Sequence, residues 1–341
     1  MRPTRILTWH IHGNYLLNLS RANVEFVLPV DPSGREGYGG RGATFPFGPN
    51  VREVPADQIR ELDLDGILYQ TRINYEVDGP ALLADAQRRL PQVYLEHDPP
   101  QGHPTDTRHW FDDPAGLLVH VTPFNALMWD SGRTRSKVIE HGVFVPDSAR
   151  YTGELPRGIT VINHLRSRGR RLGVDVFERL RAEVAVDLVG MDAESLGGLG
   201  EVFPPDLPAF EARYRYFLNP IRYTSLGLAV IEAMTVGLPV VGLATTEMVT
   251  TIDSGVSGFL ATDPLALVEP IRELVAHPEL ARDLGAAARE SALDRFGIAR
   301  FARDWEITFA DVTGRPRFDR WGLSISTALA AAVASEGGEA G

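Results

Sequence analysis

A single carboxylate lies in the middle of an otherwise apolar segment. From Leu226 to Val236 the sequence is LGLAVIEAMTV, and Glu232 is its one charged residue. The pattern predicts a helix over Ser225–Val236, and a helix without a polar face is a buried one. A glutamate is rarely buried without a partner because desolvation of its charge is costly. We expect Glu232 to meet either a bound ligand or, as the alternative, a backbone group inside a core.

An arginine-rich segment, INHLRSRGRRLG, lies between a predicted strand and a predicted helix. Lys137 is the one lysine of the chain, so any cationic contact to a phosphate must come from arginine. A guanidinium group suits this task because its planar fork can bind a phosphate through two parallel hydrogen bonds. A solvated basic turn is the alternative interpretation of this segment.

Two further segments combine histidine with strand ends. HIHGNY (10–15) follows the first predicted strand, where Gly13 allows a close approach of the backbone to a ligand. One glycine is too few for the fingerprint of a dinucleotide site. His97 ends the fourth predicted strand, where parallel sheets place their ligands. The polar loop after it is interpreted as an acceptor-site wall or a surface loop; its His and Asp spacing matches no zinc signature, so we expect no metal.

Composition limits the classes of protein. The chain of 341 residues is long enough for two domains of ordinary size. Its net charge of -11 argues against nucleic acid as the main partner. The absence of cysteine excludes disulfides and thiolate metal sites, and fits a cytoplasmic protein. We expect no integral membrane segment and no signal peptide, while contact with a membrane surface stays open.

Short apolar runs alternate with helix-like segments, which is typical of an α/β fold with parallel sheets. We expect two Rossmann-like domains facing each other across a cleft, 1–150 and 151–313, and a C-terminal helix and disordered tail in 314–341. The predicted strands are Arg5–Trp9, Val24–Leu28, Gly66–Tyr69, Gln92–Leu95, Leu117–Val121, Lys137–Glu140, Ile159–Asn163, Val186–Val189, Tyr214–Leu218, Val240–Leu243 and Phe259–Ala261. The other predicted helices are Pro80–Arg89, Leu172–Ala182, Pro264–Ala276, Pro278–Arg295 and Ile298–Thr313.

The segment that contains Glu232 resembles the donor-binding core of retaining GT-B glycosyltransferases of group 1 (family four). That family has Glu-x-Phe-Gly-Leu, then Glu-Ala-Met, then Gly-Leu-Pro-Val-Val. The corresponding residues are Ser225-Leu226-Gly227-Leu228, Glu232-Ala233-Met234 and Gly237-Leu238-Pro239-Val240-Val241, followed by a similar loop that contains Thr246-Glu247. Thr224 stands where the family has its first glutamate.

The resemblance implies an enzyme that moves a sugar from a UDP- or GDP-linked donor to a hydroxyl of a glycan, lipid-linked or small-molecule acceptor, with retention of configuration. It implies a role in polysaccharide or glycoconjugate synthesis and no separate cofactor. Glu232 would hold the ribose. The remaining donor-side candidates are Gly13, Arg166, Arg168, Arg171, Thr224, Ser225, Leu226, Gly227, Leu228 and Glu247. His97 and His12 would act at the reacting sugar with Arg168 and Arg171, and the acceptor-side candidates are Asn14, Tyr15 and His103.

Two alternatives stay open at this point, and two others are disfavoured. A sugar-nucleotide epimerase shares the architecture but needs acid and base groups around the sugar. A catalytically silent sugar-nucleotide-binding protein is suggested by Thr224, because the family's carboxylate contacts donor hydroxyls. A pyridoxal-dependent phosphorylase is nearly excluded, because its Schiff base needs a lysine and Lys137 lies in a predicted strand of the first half. The missing glycine fingerprint disfavours a dehydrogenase.

Overall fold

The computed structural model describes residues 2–315, which form two parallel β-sheets. The seven-stranded sheet has the order β3-β2-β1-β4-β5-β6-β7, and the five-stranded sheet has the order β12-β11-β10-β8-β9. The strands of the first sheet are β1 (Arg5–Leu7), β2 (Glu25–Val30), β3 (Val51–Pro55), β4 (Gly66–Tyr69), β5 (Gln92–Glu96), β6 (Leu117–His120) and β7 (Arg135–Val138). Those of the second are β8 (Leu155–Val161), β9 (Val186–Val189), β10 (Tyr214–Asn219), β11 (Val240–Leu243) and β12 (Gly258–Ala261).

Helices connect the strands and cover the sheets. They are α1 (Gly13–Leu19), α2 (Gly79–Leu82), α3 (Pro123–Met128), α4 (Leu165–Arg168), α5 (Val174–Arg181), α6 (Leu207–Glu211), α7 (Leu228–Val236), α8 (Met248–Thr251), α9 (Val268–Ala276), α10 (Pro278–Phe296) and α11 (Ile298–Thr313). This arrangement confirms the predicted α/β class with two parallel sheets. No helix within residues 2–315 is long and apolar enough to cross a bilayer.

Several predicted bounds need correction. The predicted helix Pro80–Arg89 is broken, since α2 ends at Leu82 and a separate 3-10 turn covers Gln87–Arg89. Helix α7 begins at Leu228 rather than Ser225, because Gly227 has an extended backbone and acts as its N-cap. The edge strand β3 and the short helix α1 have no counterpart among the predicted elements.

The last helix, α11, packs against the first sheet rather than the second. Phe301, Trp305 and Phe309 are fully buried in the core of the first domain. The indole Nε1 of Trp305 donates a hydrogen bond of 3.1 Å to the hydroxyl of Tyr15 in α1. The described chain therefore starts and finishes beside the same sheet, with the five-stranded unit between.

The chain crosses between the sheets twice, and the two crossings are paired. The backbone N–H of Val143 donates to the carbonyl of Phe296 at 3.1 Å, and Val143 forms a parallel bridge with Gly297. The predicted bounds of the domains stay a prediction. Strand β7 ends at Val138 and β8 begins at Leu155, while the predicted tail beyond residue 315 lies outside the described residues.

Candidate active site

Three cavities adjoin one another where the carboxyl ends of the strands meet. The central cavity, of about 290 Å³, lies between the two domains. The lateral cavity, of about 460 Å³, lies at the ends of β8 and β9. The aromatic cavity, of about 300 Å³, lies in the first domain and shares His12, His97 and Asp98 with the central cavity. Such crevices at strand ends are where open α/β sheets bind ligands.

The central cavity collects most of the predicted site residues. The first domain contributes His12, Tyr15, His97, Asp98 and His141, and the second contributes Arg168 and the segment Thr224–Ala229, which includes Ser225, Leu226, Gly227 and Leu228. The central cavity thus brings together two motifs of the second domain, those of Arg168 and Thr224–Ala229, and two of the first, those of His12 and His97. The sequence alone placed them on separate strand ends.

The start of α7 forms one wall of the central cavity. No side chain caps this helix end, so its first backbone N–H groups have no side-chain acceptor. Leu226 is buried and anchors the turn before the helix. The uncapped N–H groups and the helix dipole favour a negative group at this point.

Arg168 lies at the end of α4 and lines the central cavity together with the start of α7. Its guanidinium forms no hydrogen bond or ion pair with any residue from 2 to 315. The walls of the cleft partly desolvate this group, which lowers its pKa; Arg171 lowers it further, and Asp98 opposes both effects. The site therefore holds an accessible cation that lacks a counterion among these residues.

The structure places the other two predicted arginines differently. Arg166 donates hydrogen bonds to the carbonyl and the hydroxyl of Ser195, which hold it on the surface outside the cavity linings. Arg171 does not line the central cavity, although its Nη1 is buried without a partner within residues 2–315. Of the three arginines, Arg168 is the one that faces the space between the domains.

Glu232 lies one turn into α7 and is partly buried. It has no hydrogen bond or ion pair within residues 2–315, so the alternative of a backbone cap finds no support. Burial raises the pKa of Glu232 to about 7.

Glu211 in α6 is fully buried, and neither of its oxygens has a hydrogen-bond partner within residues 2–315. Burial raises the pKa of Glu211 well above its ordinary range, and the charge of Glu232 adds to this effect.

A hydrogen-bond chain fixes the tautomer of His97. The amide Nε2 of Gln70 donates to Thr8 Oγ1 at 3.0 Å and to the Trp9 carbonyl at 2.7 Å. The amide oxygen of Gln70 therefore faces His97 Nε2, 3.2 Å away, which must carry the proton. Burial lowers the pKa of His97 well below its ordinary value, and His12 and His141 add to the effect. His97 is thus neutral, with Nδ1 as an acceptor.

His12 lies close to His97, with 3.9 Å between the ring centroids and an angle of 48° between the ring planes. The ring of His12 keeps solvent-accessible surface in the cleft, but the surrounding walls lower its pKa; Asp98 opposes the effect, and Arg168 adds to it. The two rings occupy the boundary between the central and aromatic cavities. Both histidines therefore border the cavity that lies between the two domains.

Four predicted residues have surroundings that the sequence did not indicate. A Cβ at Gly13 would overlap the Phe45 ring, so that ring, not a ligand, accounts for the glycine. The Tyr15 hydroxyl already accepts a hydrogen bond from Trp305. Asn14 lines the lateral cavity rather than the central one. His103 lies on an exposed loop outside the three linings, where its Nδ1 accepts from the N–H of Thr105 at 3.3 Å.

Glu247 connects the two domains instead of lining a donor pocket. Its buried carboxylate accepts from the backbone N–H of Phe124 at 2.9 Å and from Thr250 Oγ1 at 2.6 Å. Arg295 Nη2 lies 3.0 Å away and also binds Glu140 of the first domain at 2.5 Å. Phe124 and Arg295 come from distant parts of the chain, so the local motif could not indicate their contacts.

We expect Glu247→Ala to lower the free energy of unfolding by about 2–4 kcal/mol, because it leaves the partly buried N–H of Phe124 without its acceptor and removes one of the two carboxylates that bind Arg295. Urea denaturation measures the change. The matched control is Glu269→Ala, whose partner Arg272 lies 2.5 Å away on the exposed surface. An exposed pair contributes about 0–1 kcal/mol, so equal losses for the two variants would contradict the interdomain role.

Sequence reasoning missed three polar residues of the central cavity, Asn163, Asp98 and His141. Asp98 supplies the carboxylate of this lining; its N–H donates to Glu96 Oε1 at 2.9 Å, and its carbonyl accepts from Trp129 Nε1 at 2.8 Å. His141 is buried, and neither ring nitrogen has a partner within residues 2–315. Asp98 could have been found from its place beside His97 at a strand end. His141, in the link between the domains, carries no such signal.

The residues considered for a metal site serve other contacts. His109 Nε2 donates to Glu96 Oε2 at 3.0 Å, and its Nδ1 accepts from the N–H of Phe111 at 3.0 Å. Residues 2–315 contain no group of three or more His, Cys, Asp or Glu side chains arranged to hold a metal ion. Lys137 donates to Thr308 Oγ1 in α11 at 2.9 Å and lies outside the three cavity linings.

Part of the chain is similar in sequence to known proteins. Residues 168–277 match the family model of the group 1 glycosyl transferases. Trehalose synthase of Pyrococcus horikoshii is 32% identical over 124 residues, which cover 36% of this chain and 29% of that protein. The matched segment thus spans less than a third of that relative.

Solved structures extend the likeness to most of the chain. Sucrose-phosphate synthase from Thermosynechococcus elongatus superposes with a TM-score of 0.67 at 15% identity, over 91% of this chain and 99% of that one. HepE of Anabaena in complex with UDP gives 0.63 at 15% identity, over 91% and 100% of the two chains. The described part of this chain has their GT-B fold, and residues 168–277 are the part that matches the group 1 glycosyl transferase family.

Proposed function

We propose that this protein transfers a sugar from a nucleotide-sugar donor to an acceptor hydroxyl with retention of anomeric configuration. The observation that carries the proposal is the central cavity. It places an unpaired guanidinium, Arg168, opposite the uncapped start of α7, beside the two histidines of the first domain. A diphosphate group fits between a cation and a helix N-terminus.

The donor would extend from the central cavity along α7. The diphosphate would contact Arg168 and the backbone of Ser225–Leu228, and the ribose hydroxyls would donate to Glu232. This role accounts for a partly buried carboxylate that has no partner among residues 2–315. HepE, a structural neighbour, has been solved with UDP-glucose, which supports a nucleotide sugar as the donor class.

The first domain would hold the reacting sugar and the acceptor. Neutral His97 offers Nδ1 as an acceptor for a sugar hydroxyl, and His12 lies between the sugar and the aromatic cavity. The developing negative charge on the departing diphosphate would be stabilised by Arg168 and the α7 N–H groups, which are in place before the reaction. The leaving phosphate would accept the proton of the acceptor hydroxyl on the same face of the sugar, so positioning supplies most of the catalysis.

The test incubates the full-length protein with UDP- and GDP-sugars and a panel of glycan, lipid-linked and small-molecule acceptors, with EDTA or with Mg²⁺. We expect release of the nucleoside diphosphate that depends on the acceptor, equal rates with EDTA, and a product whose anomeric proton signal in NMR matches the donor's configuration. Inversion would contradict the retaining mechanism. A requirement for Mg²⁺ would contradict metal independence.

Thr224 supports a second candidate function, which is binding of a sugar nucleotide without turnover. The residue lines the central cavity where the family has a carboxylate. Donor binding without transfer to any acceptor, with activity gained by Thr224→Glu, would favour this function. An epimerised nucleotide without a transfer product would instead favour the epimerase.

A further inference from the structure

The lateral cavity is a candidate site for the base of the donor nucleotide. It adjoins the central cavity through His12, Tyr15, Val161, Asn163 and Leu228, and it opens at the ends of β8 and β9. Its second-domain wall is largely apolar, formed by Val161, Val189, Val202, Pro204 and Leu207. If the diphosphate and ribose lie as proposed above, the base enters this slot, so the following argument rests on the proposed function.

The backbone at the strand end is already hydrogen-bonded within the protein. The N–H of Gly190 donates to the Gly200 carbonyl at 2.9 Å. The N–H of Met191 donates to Asn163 Oδ1 at 2.9 Å, and its carbonyl accepts from the N–H of His164 at 2.8 Å. The N–H groups of Gly190 and Met191 at this strand end are therefore already in use within the protein.

Glu201 is the charged side chain of this lining. It is exposed and has no hydrogen bond or ion pair within residues 2–315. An ionised carboxylate accepts hydrogen bonds through two oxygens and donates none. A base bound beside it must therefore present N–H donors, and two adjacent donors fit best.

Guanine meets this requirement. Its N1–H and N2–H₂ lie side by side on the Watson–Crick edge. Uracil and thymine present one N–H between two carbonyl oxygens, which a carboxylate would repel. Adenine and cytosine each present one amino group beside an acceptor nitrogen. We infer that Glu201 binds the N1 and N2 edge of guanine and that the donor is a GDP-sugar.

The experiment is calorimetric titration of the full-length protein with GDP, IDP, UDP, ADP and CDP. Inosine lacks the N2 amino group, so the GDP/IDP pair isolates that contact. A hydrogen bond to a charged group contributes about 1.5–3 kcal/mol, so we expect GDP to bind at least about tenfold more tightly than IDP or UDP. Glu201→Gln should remove the preference for GDP over IDP, because the amide keeps one acceptor oxygen and places an NH₂ group against a guanine donor.

The control is Glu194→Gln, which makes the same charge change on an exposed residue of the same connection, outside the lateral lining. It should leave the GDP/IDP ratio unchanged. Tighter binding of UDP, ADP or CDP, or a GDP preference that survives Glu201→Gln, would overturn the inference and leave the proposed function standing. Binding of no nucleotide to the wild-type protein would overturn both.

Discussion

Glu232→Gln is expected to weaken the binding of nucleoside diphosphates by about 10- to 100-fold, since it replaces a charged acceptor of hydrogen bonds by a neutral one. The side chain keeps its size, and the buried position loses a carboxyl group whose desolvation raises its pKa to about 7. The fold should therefore survive the change. Calorimetry with GDP and UDP measures the affinity, and Glu178→Gln on the exposed face of α5 is the control.

The same carboxylate makes binding depend on pH. Ribose hydroxyls donate to the ionised form, so wild-type affinity should rise with pH up to about 7, the pKa of Glu232, and then level off. The nucleotide phosphate also titrates in this range, so the difference between the wild-type and Glu232→Gln profiles is the informative quantity. Identical profiles would contradict a contact between Glu232 and the ligand.

The stability of the unliganded protein should have the opposite dependence. The pKa of Glu232 is raised from 4.5 to about 7, so the folded state binds a proton more tightly than the unfolded chain. Stability from this group is present below pH 4.5 and is lost as pH rises toward 7. Glu232→Gln should flatten that part of the profile in urea denaturation.

Arg168→Ala is expected to lower kcat by about 100- to 1000-fold, because it removes a cation that is already in place where the leaving diphosphate gains charge. The loss should exceed the change in KM, since the diphosphate carries more negative charge in the transition state than in the bound donor. Steady-state kinetics with the best donor from the nucleotide screen measures both constants.

Arg166→Ala provides the matched control. It removes an arginine from the same short helix, but that side chain contacts Ser195 and lies outside the cavity linings. We expect its kcat to stay within about threefold of the wild type, which corresponds to less than 1 kcal/mol. Equal losses for Arg166→Ala and Arg168→Ala would mean that general positive charge, rather than the cavity position of Arg168, is responsible.

The strands that the sequence predicts best are those with continuous apolar runs. Gly66–Tyr69 and Val240–Leu243 agree with the structure to the residue, because a strand covered on both faces of a parallel sheet must be apolar throughout. Val186–Val189 also agrees to the residue, although it is an edge strand that contains Asp187. The edge strand Val51–Pro55 escaped prediction because its Arg52 and Glu53 face solvent. Helix α1 was missed because its seven residues include no side-chain cap.

In the candidate site, too, local patterns predicted some residues correctly, whereas long-range contacts decided the position of others. Glu232, Arg168 and the turn before α7 were predictable from a local motif. Arg168 and that turn line the central cavity, whereas Glu232 lies farther along α7, outside the three linings. Arg166 and Glu247 belong to the same motifs, yet their partners lie far along the chain, at Ser195 and Phe124. Local sequence gives the type of a residue, whereas its partners depend on how the whole chain packs.

The return of α11 to the first sheet has a consequence for domain exchange. A fragment that ends near residue 150 would lack Phe301, Trp305 and Phe309, and would expose the apolar surface that they cover. A chimera that gives this protein another donor specificity should therefore replace only the inner unit and retain Ile298–Thr313 with the first domain. Its two junctions belong at Val143 and Gly297, where the paired crossings lie side by side.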